Sequence, residues 1–193
     1  MGIDTNKVID AAATKWNFNA YRPGLVGGHC IGVDPYYLIT KAQMLGVDSE
    51  LISAARHVND TLPEHIVNRL VQTMADENIP IKDASVLILG FTFKENCPDI
   101  RNTRVYDIYQ RLSLHAGKID VVDPIADPTP VYKEYGHKMT PMTTALKRTY
   151  DAVLLCVRHD VFSDFDIRSL IRERSVVYDI KSFLSDDLAT LRM

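Results

Sequence analysis

The chain has 193 residues, 46% of them hydrophobic, and a formal net charge of -3 at pH 7. That length allows one large domain or a compact domain with an extension, and the apolar share is enough for a packed core. The charge balance argues against nucleic acid or an anionic membrane as a partner, no apolar run approaches the ~20 residues that span a bilayer, and the first residues do not read as a secretory signal.

Residues 4–16 read as a helix whose apolar face is Ile3, Val8, Ala12 and Trp16, with Asp4 or Thr5 as its cap. A glycine-rich stretch follows. Asp34 and Pro35 then fit the Ncap and N1 positions of a helix over residues 36–45, with Gly46 at C′. Between residues 49 and 77, Leu51, Ala55, Val58, Leu62, Ile66, Leu70 and Met74 recur at three- and four-residue spacing, so one apolar stripe runs along a long helix. Pro63 interrupts it, and an interior proline costs roughly 3 kcal/mol. A kink is expected, or two helices with Thr61 capping the second. The stripe predicts packing against a domain or a second subunit. The breakers of residues 78–83 mark the expected boundary between a helical segment, 1–80, and a second unit, 81–193.

In the second unit, apolar strands are expected over residues 85–90, 119–122, 152–157 and 175–179. Helices are expected over 104–116, closed by Gly117, and over 143–148 and 167–172. Strands alternating with helices specify an α/β fold, a parallel Rossmann-like sheet with flanking helices. The turn after the first strand reads Gly90-Phe91-Thr92-Phe93-Lys94, not GxGxxG. It lacks the close-approach glycine that a dinucleotide pyrophosphate requires. Asp123-Pro124 stands where such folds place a ribose-binding acid, and it reads as a turn.

The chemistry concentrates in Gly27-Gly28-His29-Cys30-Ile31-Gly32-Val33-Asp34-Pro35. The glycines let backbone approach a ligand closely, and the following helix start favours an anion nearby, a thiolate included. Asp34 is placed to order a water or shuttle a proton beside the sulfur. The plainer alternative is that Cys30 is a small buried hydrophobe after a turn. Cys30, Cys97 and Cys156 are far apart and form no CxxC pair, so no disulfide framework is indicated and a reducing cytoplasm is the default. His29 and Cys30 would need two further ligands from unpatterned positions to hold zinc, so no metal is expected.

The string from Tyr21 to Tyr37 closely resembles the active-site segment of nucleotide-sugar 6-dehydrogenases, in particular the branch that oxidises UDP-N-acetylhexosamines. Gly90-Phe91-Thr92-Phe93-Lys94-Glu95-Asn96-Cys97-Pro98-Asp99-Ile100-Arg101 is similar to a second segment of that family. The resemblance covers nearly all of this chain but only about the second half of a full-length enzyme. It implies that an N-terminal NAD-binding domain is absent here, that residues 1–80 are the helical segment carrying the cysteine loop and the homodimer contacts, and that residues 81–193 bind the UDP-sugar.

The family reaction oxidises a C6 alcohol to a uronic acid in two NAD-dependent steps, for surface polysaccharide synthesis. Carried over, Cys30 is the nucleophile that forms a thiohemiacetal and then a thioester, and Asp34 assists its hydrolysis. Lys94 and Lys181 contact the sugar nucleotide, with Gly27, Gly28 and His29 beside it. Arg22 crosses to the partner's substrate, and Arg101 reaches the NAD. The family's oxyanion lysine and asparagine lie upstream of the cysteine, so the chain alone is expected to bind UDP-sugar and dimerise without turning over. A stand-alone α/β nucleotide-binding or assembly module with a structural cysteine is the alternative.

Overall fold

The computed structural model describes residues 3–193. Three helices come first: α1 (Thr5–Ala13), α2 (Asp34–Met44) and α3 (Glu50–Asp76). Asp4 caps α1 by accepting from the amides of Asn6 (2.8 Å) and Lys7 (3.2 Å). Neither α1 nor α2 buries a single residue among the described ones. α2 begins one residue earlier than the sequence suggests. Asp34 is its first residue rather than its cap, and Val33 holds the Ncap position without a side-chain bond.

α3 runs as one helix through Pro63, so the expected division into two helices does not occur. Thr61 does not cap; its hydroxyl donates back to the carbonyl of His57 at 2.9 Å. Packing offsets the proline. Pro63 is buried, and Ile66, Val67, Leu70 and Met74 join the sheet's core, whereas Leu51 and Val58 of the same stripe are 85% and 65% exposed.

The strands are β1 (Ser85–Leu89), β2 (Lys118–Val122), β3 (Tyr150–Leu155), β4 (Ile171–Asp179) and β5 (Leu191–Arg192). All pair in parallel, in the order β2-β1-β3-β4-β5. Between them lie α4 (Arg104–Leu112), α5 (Pro128–Tyr135) and the single turn α6 (Met142–Ala145). Alternate strand residues serve two cores. Val86, Ile88, Ala152, Leu154, Val176 and Tyr178 pack under α3 and α4. Leu87, Leu89, Val153, Leu155 and Val177 pack against Phe162, Ile167 and Leu170 on the other face. Burial on both faces is why these strands read as continuous apolar runs. Because Ile66, Leu70 and Met74 belong to the first of these cores, packing on the sheet begins upstream of the 80/81 boundary.

Three details depart from the expected pattern. α5 was hidden by its prolines, yet Pro128 fits the first turn behind Asp127, whose carboxylate accepts from Thr129 N at 2.8 Å. The helix expected over 167–172 is a short 3-10 turn, Ile167–Leu170, after which β4 starts at once. α4 stops at Leu112, and Gly117 serves close packing instead of helix termination: a Cβ there would lie 2.6 Å from the carbonyl oxygen of Lys82. Among the described residues no helix is long and apolar enough to cross a membrane.

Candidate active site

β1 pairs with β2 on one side and β3 on the other, so the strand order reverses between β1 and β3. In open parallel sheets ligands bind outside the carboxyl ends of the strands at such a point. Three loops leave the sheet there: residues 90–103 after β1, 156–160 after β3 and 180–184 after β4. The cysteine segment lies across the first of them.

Contact is close because two glycines permit it. A Cβ on Gly27 would lie 2.6 Å from the carbonyl oxygen of Asn102 and 2.9 Å from Cβ of Phe93. Gly28 has φ +93° and rests on the Phe93 ring; its amide donates to Arg101 O (3.0 Å), and its carbonyl accepts from Asn102 Nδ2 (3.1 Å). Beyond it, the Cys30 carbonyl accepts from the amides of Val33 (2.9 Å) and Asp34 (2.8 Å), a turn that feeds α2 and leaves Cys30 exposed. α3 holds the loop from below. Asn59 pairs with both the amide (3.3 Å) and the carbonyl (3.2 Å) of Val26, and Arg56 Nη1 donates to Ile31 O at 2.9 Å.

The charged groups fall into two sets. In the first, Arg101 forks onto Asp99, with Nε 2.9 and 3.0 Å from the two carboxylate oxygens. The guanidinium holds the Asp99 carboxyl down at about 2, and His29 lies close enough to add to the effect. Cys30 and Cys97 are both near enough to Arg101 for a thiolate on either to favour its charge. In the second set, Lys181 Nζ is 2.8 Å from Glu95 and lies against Gly24, where a Cβ would approach within 2.8 Å. Lys94 is exposed, its Nζ 5.4 Å from the Phe93 ring centre.

A recess of about 300 Å³ is lined by Arg22, Glu95, Asn96, Arg158, Asp160 and Lys181. Arg22 is folded onto α1, paired with Asp10 and donating to Asn6 Oδ1 at 2.8 Å. A larger cavity, about 810 Å³, lies at the β2 edge between Pro124, Tyr132, Met139 and Met142, with none of the cysteine loop in its wall.

The structure therefore brings Gly27, Gly28, Lys94 and Lys181 together, and sets Cys30, His29 and Arg101 beside them. Asp34 is exposed at the start of α2 and touches Cys30 through its backbone amide. Sequence reasoning did not find Glu95, Asn59, Arg56 or Arg158, whose guanidinium carbon stacks 4.9 Å from the Phe183 ring centre. Burial pushes the Cys156 thiol up, in keeping with its place just after β3. No group of three or more His, Cys, Asp or Glu suited to a metal occurs among the described residues.

Comparison with known proteins shows the family. The pattern of the UDP-glucose/GDP-mannose dehydrogenase family's UDP binding domain matches residues 87–186, and that of the family's central domain matches residues 1–61. A UDP-N-acetyl-D-glucosamine 6-dehydrogenase of Pseudomonas aeruginosa is 46% identical over all of this chain, and one of Salmonella typhi is 44% identical; the chain covers 46% of each. The structure of a UDP-D-ManNAc dehydrogenase from Pyrococcus horikoshii superposes with a TM-score of 0.81 at 23% identity, over 99% of this chain and 44% of that one. The chain thus spans about half the length of the curated relatives it matches. With one domain pattern over the cysteine-bearing helices and another over the sheet, the chain belongs to the UDP-glucose/GDP-mannose dehydrogenase family.

Proposed function

We propose that this chain is the sugar-nucleotide half of an NAD-dependent 6-dehydrogenase that oxidises the C6 alcohol of a UDP-N-acetylhexosamine to the uronic acid. One observation carries the reading: an exposed cysteine on a glycine-built turn lies against the loops that present Lys94 and Lys181 at the sheet's switch point. The two lysines suit phosphate or sugar oxygens, each as a compact point charge. Gly27 and Gly28 let the cysteine loop pack directly on Phe93 and the Asn102 backbone, beside Lys94.

In this reading the C6 alcohol first gives up a hydride from carbon and its hydroxyl proton to become the aldehyde; the Cys30 thiolate then adds to that carbon, giving a thiohemiacetal oxyanion. Loss of hydride from that carbon leaves a thioester. Water then attacks the acyl carbon, the thiolate departs, and Asp34 takes the water's proton. NAD supplies the hydride acceptor when bound. The β1 turn does not fit it, since the turn has no second glycine and its first amides are bonded to Asp123. NAD is assigned to residues of a longer protein, with Arg101 reaching it from this side. The exposed apolar face of α1, α2 and the first half of α3 supports a homodimer through these helices.

Calorimetric titration tests the reading on the chain itself. UDP and UDP-N-acetylhexosamines are expected to bind and NAD is not; absence of any UDP binding would refute it. In the full-length enzyme, Cys30→Ser is expected to retain substrate binding and to lose complete oxidation to the acid.

A further inference from the structure

Asp123, at the end of β2, does not point outward toward a ligand. Its Oδ1 accepts from the amides of Ile125 (2.8 Å) and Ala126 (2.9 Å). Its Oδ2 accepts from the amides of Phe91 (2.6 Å) and Thr92 (3.0 Å), the first two residues after Gly90. The fifth donor is His159 Nε2, 3.0 Å from Oδ2, and both side chains are fully buried at 0% exposure. Burial opposes the carboxylate charge, but the bonds from His159 and the two amides outweigh it and hold the carboxyl well below the usual range.

The proton on His159 follows from its partners. Nδ1 accepts from the amide of Asn96 at 3.0 Å, so the hydrogen sits on Nε2, which faces Asp123 and, at 3.1 Å, Thr92 Oγ1. The Thr92 hydroxyl donates in turn to Lys94 O (3.0 Å), and Asn96 Oδ1 accepts from Asp160 N (3.0 Å). Residues 91–96 are thus tethered at both ends to one buried dyad. In a dinucleotide-binding fold the amides of this turn point at a pyrophosphate.

We propose that the Asp123 carboxylate is an internal anion occupying the phosphate cradle of the β1 turn, and that with neutral His159 it fixes the loop that aims Lys94 and, through Glu95, Lys181 at a sugar nucleotide. Dinucleotide is excluded from the turn by a group the chain itself supplies. The binding cations then sit on a preformed loop, which lowers the ordering cost of capture. Asp123 and His159 are positioning residues and touch no substrate. The inference rests on the UDP-sugar reading only for what Lys94 and Lys181 bind.

The test uses three variants of the chain, checked for fold by circular dichroism. His159→Phe removes the contacts to Asn96, Asp123 and Thr92, and His159→Asn keeps an acceptor near the Nδ1 position. Asp123→Asn sets an amide NH₂ against donors. His159→Phe and Asp123→Asn are expected to weaken UDP binding about tenfold, roughly 1.4 kcal/mol, with His159→Asn near wild type. The Asn96 amide is expected to exchange about tenfold faster in His159→Phe and to be protected again in His159→Asn. That exchange is read without ligand, so a wild type that fails to bind UDP refutes the proposed function while the loop claim is still decided.

A folded His159→Phe chain with wild-type UDP affinity and unchanged Asn96 exchange would overturn the proposal. NAD titration that shifts the Phe91 and Thr92 amides would do the same. If neither His159→Phe nor Asp123→Asn folds, nitrogen-15 spectra of the wild type decide: an Nε2–H neutral ring supports the dyad, and an Nδ1–H or charged ring contradicts it.

Discussion

Residues 50–62 and 66–74 lie on one helix and share one apolar stripe, yet they meet different surroundings. Ile66, Leu70 and Met74 are at 0% exposure against β1, β3 and β4, while Leu51 and Val58 stand in solvent at 85% and 65%. The same contrast holds on a larger scale. The arm of α1, α2 and the first half of α3 buries almost nothing of its own, whereas the sheet and its helices enclose two dense cores. Apolar periodicity therefore shows that a face must be covered and leaves open by what. In this chain one half of the stripe is covered by its own sheet, and the other stands exposed. Leu25 and Leu62 pack against the core where the halves meet, and polar contacts flank them: Asn59 and Arg56 grip the cysteine loop, and Asp60 bonds both Tyr36 of α2 and Arg104 of α4.

The comparison can be broken by substitution. Leu70→Ala is expected to destabilise the chain by about 2–5 kcal/mol, the cost of a cavity in a packed core. Leu51→Ala is expected to change unfolding by less than about 0.5 kcal/mol in dilute solution and to weaken self-association at higher concentration. Urea unfolding and sedimentation read the two effects; equal destabilisation by both variants would erase the distinction between the halves.

A smaller effect lies at the seam. Gly27→Ala drives a Cβ toward a backbone oxygen at 2.6 Å. It is expected to cost about 1–3 kcal/mol of docking and to raise hydrogen exchange over residues 27–34, with the sheet unchanged. Uniform exchange across both regions would contradict a docked loop.

The histidines sharpen the contrast further. His137 is buried beside Tyr109 and Phe91, and burial lowers its pKa, whereas His29 and His57 of the arm are exposed. A group with a depressed folded pKa contributes stability above its unfolded value near 6.5 and loses it as pH falls. Stability is expected to drop below about pH 6.5, and His137→Phe to remove part of that drop while His57→Ala does not. Thermal melts from pH 7 to 5 check it. Last, alkylation followed by mass spectrometry is expected to label exposed Cys30 first, half-buried Cys97 more slowly and buried Cys156 not at all in the folded chain.

Much of this was legible in the sequence, and the gaps have physical reasons. β1 and β3 announce themselves because burial on both faces demands apolar runs, Val86 to Leu89 and Ala152 to Leu155. The cysteine turn is legible because close approach leaves only glycine at residues 27 and 28. α5 was missed because Pro128 and Pro130 look like breakers although both fit a first turn. Of the two readings that Pro63 allowed, a kink or a break, the break does not occur, and Pro63 lies buried within one continuous helix. The Asp123–His159 pair spans 36 positions, and the Asn59 clamp on Val26 spans 33. Such pairings depend on which loop ends the sheet brings together, and no local pattern encodes them.

The central claim is that UDP binds where the cysteine loop meets the loops after β1 and β4. Mapping amide shifts of the labelled chain during UDP titration tests it most directly. Shifts are expected to concentrate at residues 22–28, 92–96 and 181, with Lys94→Ala weakening the interaction about tenfold. Shifts centred instead on Pro124-flanking residues, Tyr132 and Met139 at the β2-edge cavity, or an affinity that Lys94→Ala leaves unchanged, would contradict the account.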